Sequence, residues 1–185
     1  MANIFQSGPN RPVLLVGLGN PGPEYTHSRH NAGFLILDAL AHALHTNWHE
    51  KPSWCGLVAQ PAPSVYLLKP TTFMNASGQA VAAVQNYFDI PSSNVMIVYD
   101  DRDLDFGRIK ITTGFRTGAH HNGVKSVAQH IGNNFQRIRF GIGNDHMRHK
   151  NVRDFVLENF TSPERKAFEQ LMPYIIQQLR HDLDV

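Results

Sequence analysis

The 185-residue sequence contains one cysteine, Cys55, which excludes an intramolecular disulfide and any multi-cysteine zinc site. No apolar run approaches ~18 residues, so nothing in the chain reads as a membrane span. The opening stretch MANIFQSGPNRP lacks a basic segment followed by an apolar one, and is not a secretory signal. These absences together point to a soluble protein of the reducing cytoplasm. An excess of charge is missing too: 17 Lys and Arg stand against 15 Asp and Glu, a net +2. That balance is no nucleic-acid coat, although it is compatible with an RNA or phosphate partner. No repeat, low-complexity tract or linker interrupts the chain. Its length and its 42% hydrophobic content predict one domain over residues 1–185, with residues 1–11 as a flexible N-terminal extension.

What is present alternates between two periods. Val13–Val16 is continuously apolar, as in a strand buried on both faces. AGFLILDALAHALH places Phe34, Leu37, Leu40, Ala41 and Leu44 at helical spacing. GLVAQPAPSVYLLKP predicts two strands about a proline-bearing turn, and residues 77–88 a helix with Val81, Val84 and Phe88 on one stripe. NVMIVYDD is the clearest central strand. It ends in Asp100 and Asp101, where open α/β sheets place their sites. Strand GRIKITT, helix VKSVAQHI and strand RIRFGIG follow. A C-terminal helix then opens with Ser162 as N-cap and Pro163 in its first position. The alternation predicts an α/β fold, a mixed sheet between helices.

The stretch VLLVGLGNPGPEY carries Gly17, Gly19 and Gly22 as G-x-G-x-x-G, the spacing of a dinucleotide-binding turn. Such a turn needs a helix to begin inside the motif, so that its N–H groups face a pyrophosphate. Here Pro21 and Pro23 bracket Gly22 and disfavour helical geometry before them, and the helix starts only near Asn31. The acid expected about 20 residues on would be Asp38, which lies within that helix. The glycines therefore predict a tight turn with Asn20 at its crest, and no dinucleotide.

The polar groups beyond strand ends define the chemistry. Asn20, His30, Asn75, Asp100, His121 and Asn122 amount to imidazole, carboxylate and amides, which suits a His–Asp pair activating water while amides hold a carbonyl. Asp100 and Asp101 equally suit turn caps, and Asn beside Gly or Pro is an ordinary turn former. No serine sits in G-x-S-x-G, and Cys55 falls in an expected strand without a basic neighbour, so covalent catalysis is not indicated. The spacing His146-x-x-His149 could place two imidazoles together, but no H-E-x-x-H or clustered carboxylate supports a metal there. No metal and no cofactor are expected.

Several of these segments together resemble one family. VGLGNPGPEY, SRHNAGF, KPTTFMNASGQAV, YDDRDL, HNGVKSV and RIRFGIG occur in the order and at the spacing of the bacterial-type peptidyl-tRNA hydrolases, over about Val13 to Phe160. The resemblance implies a metal-free, usually monomeric enzyme with a twisted mixed sheet in a phosphorylase/hydrolase-like three-layer sandwich. It implies cleavage of the ester between a peptide and the 3′ end of tRNA. On the matching motifs, His30 takes the place of the general base and Asp100 that of the acid orienting it. Asn20 takes the place of the amide that tells a blocked peptidyl ester from a free aminoacyl one. Tyr25, Phe73, Asn75 and Asn122 match positions contacting peptide or 3′ adenosine, with Met74 in the same wall. Lys110, Lys125, Arg137 and Arg139 are candidates for tRNA phosphates.

The pattern also departs from the family. GAHHNG replaces G-G-H-N-G, which leaves open whether His120 or His121 takes the family's His position. Arg102 and Asp105 stand where apolar residues or Pro are common. The chain ends at QLRHDLDV, some turns short of the usual C-terminal helix, which implies altered tRNA contact. These departures motivate an alternative, a non-catalytic RNA-binding relative of the same fold.

Overall fold

Val13–Gly17, the first strand β1, is buried at every position, as a strand covered on both faces must be. The structure is a computed structural model that describes residues 12–114, 120–145, 147 and 150–185. The expected N-terminal extension, residues 1–11, and the pair His146 and His149 lie outside the described residues. After β1 come α1 (Ala32–Ala43), β2 (His49–Lys51), β3 (Gly56–Ala62), β4 (Val65–Pro70) and α2 (Ser77–Tyr87). They are followed by β5 (Val95–Asp105), β6 (Ile109–Thr113), α3 (Asn122–Ile131), β7 (Gln136–Gly143), α4 (Val152–Leu157) and α5 (Ser162–Leu183).

The seven strands form one mixed sheet in the order β2-β3-β4-β1-β5-β7-β6. The neighbours β4, β1, β5 and β7 run parallel, while β2, β3 and β6 are antiparallel additions at the two edges. One face carries Leu15, Leu67, Val98 and Phe140 under Ile36 and Leu40 of α1 and Phe168 and Ile175 of α5. The other carries Val16, Leu68 and Ile97 under Val81 and Val84 of α2 and Val124 and Val127 of α3. This is the expected α/β sandwich of three layers. No helix among the described residues is long and apolar enough to cross a membrane.

Glycine sets how close α1 comes to the sheet. A Cβ on Gly33 would lie 2.3 Å from the Val98 carbonyl oxygen and 2.5 Å from the Leu18 amide nitrogen. Both are backbone atoms that cannot swing aside. Gly33→Ala is expected to destabilise the fold by about 3 kcal/mol, read as a fall in urea midpoint at constant slope; an unchanged midpoint would contradict the close approach. Gly22 has φ +115°, a conformation that glycine adopts without strain. A 3-10 turn at Pro23–Tyr25 follows, then another at Arg29–Asn31, before α1 opens at Ala32. The helix that a pyrophosphate would need at the glycine turn is elsewhere.

Four local expectations require correction. On α1, Ile36 joins Leu37, Leu40 and Ala41 in the core while Phe34 and Leu44 are only partly covered, because Ala32 and Gly33 are pressed to the sheet and rotate the stripe. The N-cap of α5 is Thr161, not Ser162, since the Thr161 hydroxyl and Glu164 form a reciprocal capping box and Ser162 is the first helical residue. Cys55 is not in a strand: it has φ 48° and ends the 3-10 turn Pro52–Trp54 just before β3. β5 does not stop at Asp100–Asp101 but continues to Asp105, because β7 still pairs with it there.

Candidate active site

The sheet places Asp100 where one neighbour has just left. β1 runs beside β5 only as far as the pair Gly17↔Val98, and then departs into the loop that carries Asn20, Tyr25 and His30. The flank of β5 beyond that point is open, and two imidazoles fill it. His30 Nδ1 lies 2.9 and 3.0 Å from the two Asp100 oxygens. His121 Nε2, at the entrance to α3, lies 3.0 Å from Asp100 Oδ1. The two rings are 4.8 Å apart between centroids, and the Asp100 side chain is only 2% exposed.

Hydrogen bonding fixes how these rings carry their protons. The Val124 N–H donates to His121 Nδ1 at 3.3 Å, so His121 is the side-chain N-cap of α3. Nδ1 must then be the unprotonated nitrogen, and Nε2 carries the proton donated to Asp100. On His30 the nitrogen facing the carboxylate is Nδ1, so that is the protonated one. Its Nε2 is left with a free lone pair and no partner among the described residues.

Electrostatics separates the two histidines. Burial pushes the His30 imidazole down, but the Asp100 charge and hydrogen bond outweigh it and raise its pKa above the usual 6.5. His121 is buried more completely. There desolvation wins over Asp100, helped by repulsion from His30, and its pKa is lowered. Burial alone would raise Asp100, yet the charges and hydrogen bonds of both imidazoles hold it far below the ordinary carboxylate range. Asp100 therefore stays ionised, His121 stays neutral, and His30 is the member that takes up a proton.

By residue type, His30, Asp100 and His121 are also a ligand set, with donor atoms within 4.8 Å of one another. The tautomers oppose that use. A metal on His121 Nε2 would force the ring proton onto Nδ1, against the Val124 N–H.

The remaining candidates assemble around this group in a cleft of about 980 Å³. Asn20 is held on three sides: its backbone N–H donates to Asn31 Oδ1, Asn31 Nδ2 donates to its carbonyl, and Met74 N–H donates to its Oδ1 at 2.8 Å. Its Oδ1 is thereby occupied, and the side-chain Nδ2 is the group left to meet a ligand. Tyr25, Phe73, Met74 and Asn75 line the cleft beside it, and Asn122 enters from the start of α3. Phe73 is 59% exposed at the rim. Of the basic candidates, Arg137 and Arg139 line the cleft; Arg139 is paired with Asp101 at 2.6 Å and Arg137 bonds the Tyr99 hydroxyl. Lys110 sits opposite Arg139 across the β6–β7 ladder, outside the cleft. Lys125 is exposed on α3 and is not brought into it. His120 lines the cleft but is exposed and makes no bond to Asp100 among the described residues, whereas His121 does.

Sequence reading missed one wall. Val152, Val156 and Leu157 of α4 also line the cleft. The signal was short: Asn151, an N-cap whose Oδ1 accepts the Arg153 N–H, followed by apolar residues at 152, 155 and 156.

Among the described residues that line the cleft there is no serine, threonine, cysteine or lysine. An α/β sandwich with an imidazole–carboxylate pair in such a cleft has the groups of a class, the enzymes equipped for general acid–base chemistry. Within that class, the model of the peptidyl-tRNA hydrolase family matches residues 14–184, and the chain belongs to that family. It is 41% identical over 166 residues to a peptidyl-tRNA hydrolase of Rickettsia bellii, covering 88% of this chain and 89% of that one. It is 44% identical over 174 residues to one of Mycolicibacterium vanbaalenii, covering 90% and 86%. A crystal structure of the Acinetobacter baumannii peptidyl-tRNA hydrolase superposes with a TM-score of 0.82 at 33% identity, over 94% of this chain and 89% of that one.

Proposed function

We propose that the chain hydrolyses the ester joining a peptide to the 3′ end of tRNA, using a water activated by His30. The observation that carries this reading is the pair His30–Asp100, with Nδ1 committed to the carboxylate and Nε2 free in a residue lining the cleft. Nε2 removes a proton from water as the oxygen adds to the ester carbonyl. The resulting imidazolium is stabilised by Asp100, which stays ionised. Collapse of the tetrahedral intermediate expels the ribose oxygen, and His30 returns its proton to that leaving group. An ester is an activated acyl group, so positioned water suffices.

The amides serve the carbonyl and the selectivity. Asn20 Nδ2 is the preorganised donor, since Met74 fixes the orientation of the side chain, with Asn75 beside it. Phe73 at the rim offers a stacking surface for a base, and Tyr25, Met74 and Asn122 complete the walls. Arg139, Arg137, Lys110 and Lys125 meet phosphates. The reading carries with it residues 1–185 acting as one unit, a monomer in the cytoplasm, with no cofactor. His121, within the departing GAHHNG stretch, bonds Asp100, so this departure leaves the reactive set intact and does not favour a non-catalytic relative.

Incubation with a blocked aminoacyl-tRNA tests the proposal. Repeated turnover to free tRNA is expected, and tight binding without turnover rejects it. Asn20→Asp keeps the acceptor for Met74 N–H but replaces the free NH₂ by a carboxylate oxygen, which pairs with an ammonium. The ratio of rates on blocked and unblocked aminoacyl-tRNA is expected to fall by roughly tenfold. An unchanged ratio would remove Asn20 from selectivity.

A further inference from the structure

Arg29 stands one residue before His30 and is 2% exposed, yet its side chain touches none of the groups around Asp100. Its guanidinium meets Glu164 with two nitrogens, Nε to Oε1 at 3.3 Å and Nη2 to Oε2 at 2.8 Å. It also meets Glu158 Oε2 at 3.3 Å and the Phe155 carbonyl at 3.1 Å, and it lies 4.4 Å over the centre of the Phe155 ring.

These contacts concern α4. A helix of six residues is far below the ~12–15 at which helices begin to support themselves, and Phe155 is its one buried side chain. Its last carbonyls have no intrahelical partner. Arg29 provides partners at both levels: the side chain bonds the Phe155 carbonyl, and the Arg29 N–H bonds the Glu158 carbonyl at 3.0 Å. A cation at a helix C-terminus is favourable in itself. Glu164, which holds the guanidinium from the other side, is also fixed, accepting from Thr161 N–H at 2.7 Å and from Asn144 Nδ2 at 2.6 Å. α4 also supplies Val152, Val156 and Leu157 to the cleft.

We propose that Arg29 is a positioning residue that sets α4 as the substrate-facing wall of the cleft, so that it governs substrate capture rather than the chemical step. This rests on the hydrolase reading for its kinetic consequence, although not for its structural one. Arg29→Lys keeps the charge and loses the fork. KM for a blocked aminoacyl-tRNA is expected to rise about tenfold, with kcat within twofold and the pH midpoint of kcat unmoved. Amide hydrogen exchange of residues 153–157 is expected to quicken. Glu158→Gln, at a carboxylate that is 41% exposed, takes the charge from one arm, and from its pair with Lys150, with little risk to folding. It should raise KM about threefold with the same acceleration of exchange, and it decides alone if Arg29→Lys does not fold.

A fall in kcat with a shifted pH midpoint and an unchanged KM would overturn the proposal, by assigning Arg29 to the placement of His30. Wild-type exchange across residues 153–157 in the folded variants would overturn it as well. Absence of turnover in the wild type would strike the hydrolase reading alone, since the exchange measurement would still decide the role of Arg29.

Discussion

His30→Ala is expected to lower kcat/KM on a blocked aminoacyl-tRNA by roughly 10³- to 10⁴-fold while leaving tRNA affinity within about twofold. The size of the effect follows from geometry. His30 Nε2 is a free base on an imidazole held by Asp100, and among the described residues of the cleft no serine, threonine, cysteine or lysine stands ready to replace it. The other bonded histidine cannot substitute in place, because its Nδ1 is occupied by the Val124 N–H and its Nε2 faces Asp100. Residual hydrolysis would come from the amides and from binding. Steady-state kinetics alongside filter binding separates the two quantities. A variant that keeps more than a tenth of wild-type kcat/KM would exclude His30 as the base.

Asp100→Asn is expected to cost roughly 10²- to 10³-fold in kcat/KM. Asn is nearly isosteric, and its oxygen can still accept at the Oδ1 position that both imidazoles share. What disappears is the charge. The imidazolium formed as water is deprotonated then sits in a buried site without its counterion. A charge-assisted hydrogen bond, worth about 1.5–3 kcal/mol, is reduced to a neutral one in the transition state. The Oδ2 position would also present an NH₂ to His30 N–H, which weakens the hold on the ring. The change should fall on kcat and spare KM, since Asp100 is buried and its oxygens are taken up by the two imidazoles. A loss confined to KM would assign Asp100 to binding.

The sequence made the strands legible wherever burial is continuous, as in Val13–Val16 and Val95–Tyr99, because a strand covered on both faces cannot hide its apolar run. It made Asp100 legible for the same reason, as a carboxylate at the end of such a run. His30 and Asn20 came from motif and turn chemistry, and both lie in the cleft. What stayed hidden depends on partners far along the chain. Arg29 is bound by Phe155, Glu158 and Glu164, all more than a hundred residues away, and nothing local to Ser28-Arg29-His30 announces them. The choice between His120 and His121 rests on which ring reaches Asp100, a matter of tertiary geometry. β2, with three exposed residues, and α4, with one buried residue, are too short for a periodicity to register. Cys55 was misplaced because a left-handed residue before a strand looks, in sequence, like part of the strand.

The most direct test of the account is the pH dependence of kcat/KM for a blocked aminoacyl-tRNA, corrected for spontaneous ester hydrolysis. The base works only as the neutral imidazole, so the rate should rise with unit slope and level off above one ionisation. Asp100 raises the His30 pKa despite burial, which places that midpoint above the ordinary 6.5 of histidine. In Asp100→Asn burial acts unopposed, and the midpoint should drop below 6.5. A profile with its midpoint above 6.5 in the wild type and below it in the variant is the result predicted. A flat profile, or a midpoint that does not move when Asp100 is neutralised, would contradict the claim that His30, held by Asp100, activates the water.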